Sequence, residues 1–146
     1  MNINKLFTAE QRKQIIKAIG DAESRTSGEI RVHLEKRCKI HPLDRAGQVF
    51  QYLKMHQTQL RNGALIYIAA VDKKFAIFGD EGINEVVPEN FWEDVKEEMR
   101  GYFAKGDFAD GVIVGIKHIG DKLGEFFPHK DDDINELPDD ISVNEK

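Results

Sequence analysis

Apolar residues recur at helical spacing through Ile15, Ile16, Ile19 and Ala22, the stripe of an amphipathic helix. Thr8 and Gln11 stand three apart just before it, the spacing of a capping box, so this helix is expected to run from Thr8 to about Ser24. Thr26-Ser27-Gly28 breaks it. From Glu29 to Glu35 the period changes to two, with Ile30, Val32 and Leu34 on one face and Arg31, His33 and Glu35 on the other. That alternation predicts a half-buried strand with a polar face. His41-Pro42 ends it, and Leu43, Ala46, Val49, Phe50 and Leu53 trace a second helix to about Met55.

Asn62-Gly63 signals a turn. Ala64 to Val71 is a continuous apolar run of strand length, suited to a central strand covered on both faces. Strand, helix, strand in this order predicts a parallel pair. The short Asp72-Lys73-Lys74 link predicts a hairpin, so Phe75 to Phe78 should return antiparallel. Gly79-Asp80-Glu81-Gly82 is expected to close that strand as a loop. Pro88 suits the first turn of the next helix, with Phe91, Trp92, Val95, Met99 and Phe103 as its buried stripe. Gly106-Asp107 heads a last helix whose apolar face is Phe108, Val112, Ile116, Ile119 and Leu123. Asp107 is its expected cap. Gly111 and Gly115, four apart, would let it lie close to a neighbour. The sum predicts an α/β fold, a three-layer α/β/α sandwich around a small mixed sheet.

A chain of 146 residues is enough for one domain with a real core. The ordered domain is expected over residues 1–128. Residues 129–146 are acidic and poor in large apolar side chains, the composition of a flexible tail, with Ile134 or Leu137 as points where it could dock. The formal net charge is −5. Eight Asp or Glu against two Lys lie between Glu125 and Lys146, and the remainder is nearly neutral. No basic face is evident, which argues against nucleic acid as a partner. No apolar run approaches the roughly 20 residues of a membrane span, so no membrane insertion is expected. The N-terminal MNINKLFTAEQRK lacks an apolar signal core, so the expected location is the cytoplasm. A monomer is the default expectation.

The single cysteine, Cys38, excludes an internal disulfide and a thiolate zinc cage. A cysteine-phosphatase role for it fails on spacing, since Arg45 comes one position late and no glycine-rich loop surrounds Cys38. No two of His33, His41, His56, His118 and His129 have the i, i+4 spacing of a helical zinc site, and they read as surface or hydrogen-bonded histidines.

Five local signatures occur in one order: Ser27-Gly28-Glu29-Ile30 entering a strand, Asn62-Gly63 before the apolar run, Val71-Asp72-Lys73-Lys74, Phe75-Ala76-Ile77-Phe78-Gly79, and Gly106-Asp107-Phe108 with Gly111. In that order, with a Pro88 helix between the last two, they resemble the TPM domain, over roughly Thr8 to Leu123. The chain is similar to short, stand-alone intracellular bacterial versions of it. The resemblance implies an α/β fold and an acidic depression at strand ends that binds a divalent cation. Members have been described as acid phosphatases and some as calcium-binding. Mapped by motif, the implied ligands are Glu29, Asp72, Asp107 and Asp110. Asp80 stands where exported members often carry an aromatic residue, a departure that could extend the acidic cluster or remove a contact.

Carboxylates from separate loops suit hard cations, calcium first and magnesium second. The same residues have ordinary structural uses, Asp107 as a helix cap and Asp72 as a turn former. Three functions follow: a divalent-cation-binding domain with a regulatory or scaffolding role, a metal-dependent phosphatase acting on phosphate monoesters, and an interaction module that recruits a protein partner without metal. For the phosphatase, Asp72 beside Lys73 or Lys74 is the available nucleophile and clamp.

Overall fold

A computed structural model of the chain describes residues 2–129 and 141–144. After a short 3-10 turn at Ile3–Lys5, the elements are α1 (Ala9–Glu23), β1 (Glu29–Glu35), α2 (Pro42–Tyr52), β2 (Gly63–Ala69), β3 (Lys74–Gly79), α3 (Glu81–Asn84), α4 (Glu93–Ala104), α5 (Phe108–Phe126) and β4 (Ile141–Val143). The capping box of α1 forms as its spacing predicts. Thr8 Oγ1 accepts from the Gln11 amide at 3.1 Å, and the Thr8 amide donates to Gln11 Oε1 at 2.9 Å.

The strands run in the order β3-β2-β1-β4. β1 is parallel to β2 and to β4, while β2 and β3 are antiparallel, so the sheet is mixed. Alternation of the strands then fills two layers. Ile30, Val32, Leu34, Ala64, Ile66, Ile68 and Ile77 face α1, α4 and α5 in the larger core. Leu65, Tyr67, Ala69, Ala76 and Phe78 face α2 with Val49, Phe50 and Met55. This is the expected three-layer α/β/α arrangement. Gly120 of α5 shows why its glycines matter: a Cβ there would lie 2.7 Å from Ala22 Cβ and 3.1 Å from Ala22 Cα, so α5 and α1 can pack at this distance only without it.

The structure departs from the sequence reading in several places. β1 is not half-buried: His33 and Glu35, on its polar face, are buried along with Ile30, Val32 and Leu34. It is a central strand, flanked by β2 and β4, and it reaches into both layers. The Gly79–Gly82 segment is not merely a loop, since Asp80 caps the short helix α3. Pro88 does not open α4, which begins at Glu93 after a run of turns. Within the tail, Ile141–Val143 pairs with Val32–Leu34 as a fourth strand, so those three residues do not belong to a structureless segment. Ile141 is buried and supplies an apolar anchor that the acidic composition around it concealed. Ile134 and Leu137 lie outside the described residues.

Among the described residues α2 is the one long helix on its side of the sheet, and it packs over β2 and β3. The β1–β4 half of that face is left to polar side chains and open crevices.

Candidate functional site

The five acids indicated by the sequence do not share one depression. Glu29 pairs in register with Gly63, and the Asp80 amide donates to the Gly63 carbonyl at 3.0 Å, so both lie at the amino-terminal end of β1 and β2. Asp72, Asp107 and Asp110 lie at the other end, about 20 Å away along a seven-residue strand. Asp72 follows β2, and its Oδ2 accepts from the Cys38 amide just past β1 at 2.8 Å. Asp107 adjoins Phe108, which lines a crevice of about 510 Å³ together with Lys73, Lys74, Phe75 and Gly106.

Their surroundings differ as much as their positions. Asp80 is buried. The Arg61 guanidinium grips it through Nε to Oδ2 at 2.8 Å and Nη2 to Oδ1 at 3.0 Å, and Oδ1 also accepts from the Glu81 amide at 2.8 Å. A carboxylate so engaged is a structural clamp. Both oxygens of Asp72 are also used, the second by Arg37 Nη1 at 3.3 Å, tying the turn after β2 to the segment after β1. Asp107 behaves otherwise. It occupies the cap position of α5 after Gly106, whose φ of +81° favours glycine, yet its carboxylate makes no capping hydrogen bond. It is exposed, as is Asp110 three residues on, so the two lie on one side of the first helical turn. Among the described residues, no group of three or more His, Cys, Asp or Glu is arranged to hold a metal ion.

The chain's main polar centre was not anticipated from sequence. At the carboxyl end of β1, Glu35 is buried and accepts from Arg45 Nε at 3.0 Å and Nη2 at 2.5 Å. It also accepts from the Tyr67 hydroxyl and from Asn144 Nδ2 at 3.2 Å. His33 Nε2 lies 3.3 Å from it, while His33 Nδ1 meets Ser142 Oγ at 2.8 Å. Burial alone would raise the Glu35 pKa, but the hydrogen bonds from Arg45, Tyr67 and Asn144 outweigh it and hold the carboxyl at about 2. Burial lowers the His33 pKa against the pull of Glu35, so the ring is neutral at pH 7. Burial and the bond to Glu35 together raise Tyr67. The bond to Glu35 raises Arg45. Strand period could have found part of this centre, because His33, Glu35 and the register partner Tyr67 lie on one face. The contributions of Ser142 and Asn144 required knowing where β4 docks.

Crevices open on both sides of Arg45, against α2. One of about 540 Å³ is lined by residues 35–40 with Arg45, Gln48 and Asn144. The other, of about 520 Å³, includes His33, Tyr52, Leu53 and Ser142. Cys38 is buried, with its thiol donating to the Ile40 carbonyl at 3.1 Å.

Among the described residues no helix is long and apolar enough to cross a membrane. The sequence model of the TPM domain matches residues 2–122. The solution NMR structure of BA42 from the psychrophilic bacterium Bizionia argentinensis is 51% identical, with a TM-score of 0.89, covering 94% of this chain and 95% of that one. The N-terminal domain of cg2496 from Corynebacterium glutamicum shares the fold at 12% identity, with a TM-score of 0.64, over 92% of this chain and 79% of that one. A comparison with curated proteins gives no match.

Proposed function

The chain belongs to the TPM domain family, and from that premise we propose that it binds a divalent cation, calcium before magnesium, in a regulatory or scaffolding role. The observation that carries the reading is Asp107: an aspartate at a helix start that makes no capping bond, is exposed, and has Asp110 one turn away. The helix dipole favours the negative charge of both carboxylates at this end of α5, and with neither committed to a capping bond a hard cation would give both a partner. Asp72, at the same end of the sheet, contributes by fixing the neighbouring turn. Glu29 and Asp80 take no part, because they lie at the far end. Two carboxylates with water completing the shell describe a modest site, suited to responding to cation concentration.

Calorimetric titration with calcium and with magnesium tests this. Binding of one ion, weakened at least tenfold in an Asp107→Asn/Asp110→Asn variant, is expected. Binding unchanged in that variant would remove the reading. Metal-dependent hydrolysis of an aryl phosphate by the unmodified chain would replace it with the phosphatase.

A further inference from the structure

We propose that the crevice between the carboxyl end of β1 and α2 is a binding site for a small molecule carrying two or more negative charges on carboxylate or phosphate groups. This is independent of the cation reading and uses other residues. The crevice, about 540 Å³, lies within the range of small-ligand pockets. Lys36, Arg37, Lys39 and Arg45 line it, against the single carboxylate of Glu35. Arg45 is compensated by Glu35 and Arg37 by Asp72, which leaves Lys36 and Lys39 as a local positive field in a chain of net charge −5.

The cations differ in what they are doing. Arg45 is fixed: its Nε and Nη2 hold Glu35, and Nη1 donates to Gln48 Oε1 at 3.1 Å. It forms the rigid floor and neutralises the carboxylate that would otherwise repel an anion. Arg37 carries one long contact to Asp72 at 3.3 Å, with most of its side chain exposed. Lys36 and Lys39 make no ion pair among the described residues. Lys74 Nζ, 3.4 Å from the Cys38 carbonyl, brings a further cation to the rim. Asn144 and Gln48 supply polar groups that can orient a ligand, and Ile40 and Cys38 an apolar wall. The position is also the general one for α/β sheets, where ligands settle outside the carboxyl ends of parallel strands.

The test is an amide NMR titration of the full chain with citrate and, separately, with inorganic phosphate, each at ionic strength held constant with sodium chloride. Saturating shifts are expected at residues 36–40 and Asn144 for at least one anion, and the tighter of the two assigns carboxylate or phosphate as the preferred group. Lys36→Gln/Lys39→Gln should weaken that binding at least tenfold. Lys13→Gln, on the exposed side of α1, should leave it unchanged. Shifts that never saturate or scatter over the surface would overturn the site. So would an affinity unaltered in the Lys36→Gln/Lys39→Gln variant while its remaining spectrum matches the unmodified protein.

Discussion

Two Gly-Asp pairs, Gly79-Asp80 and Gly106-Asp107, each lead into a helix, and they do different things. Asp80 is buried, caps α3 and is gripped by Arg61. Asp107 is exposed at the start of α5 with its carboxylate uncommitted to the cap. The difference lies in the partners each location offers. Behind Asp80 stand Arg61 and the end of the sheet, and the aspartate completes a closed corner. Asp107 follows a tight glycine turn at the open end, where no guanidinium among the described residues pairs with it. The same dipeptide thus serves stability in one place and is left available in the other.

The sharpest way to break this contrast is to remove the carboxylates and measure unfolding in urea. Asp80→Ala deprives Arg61 of its partner and α3 of its cap, with an expected loss of about 2–3 kcal/mol. Asp107→Ala, without a capping bond to lose, should stay within about 0.5 kcal/mol of the unmodified chain. Comparable losses at both positions would show that the two aspartates are structural equivalents.

The polar centre at Glu35 extends the comparison to pH. Its carboxyl is held at about 2 against an ordinary 4.5. The bound state therefore adds stability above the ordinary value, and this is lost as pH falls from about 4.5 to 2. His33 acts over a higher window. Its folded pKa is lowered, so the unfolded chain takes up a proton first, and stability declines as pH drops below about 6.5. Glu35→Gln should flatten the lower limb of the stability profile and His33→Gln the upper limb. Chemical denaturation across pH 2–8 reads both.

A smaller effect follows at β4. Ser142→Ala removes the hydroxyl facing His33 Nδ1, and should cost about 1 kcal/mol while raising amide exchange at Val32 to Leu34. Unaltered exchange there would mean that Ser142 does not hold β4 in place.

Much of the fold was legible because period and turn chemistry agree locally. The alternation from Glu29 to Glu35 defines β1, the apolar run after Gly63 defines β2, and the stripe from Val112 to Leu123 defines the buried face of α5. What was not legible depends on long-range docking. Ile141 is one of four large aliphatic residues scattered through an acidic segment, and its strand forms where β1 offers a free edge. With β4 in place, His33 and Glu35 become buried rather than solvent-facing. The candidate acids were visible as residue types at turns and helix starts, but their division between the two ends of the sheet is a property of the topology. The cluster of Lys36, Arg37, Lys39 and Arg45 was likewise hidden, because a near-neutral average masks a concavity assembled from one loop and one helix.

The most direct test of the account is an amide NMR titration with calcium, read at both Gly-Asp pairs at once. Saturating shifts at Asp72 and residues 106–111, with residues 79–83 unmoved, are the result the account predicts. Saturating shifts centred on Glu29 and Asp80, or none at Asp107 and Asp110, would contradict it.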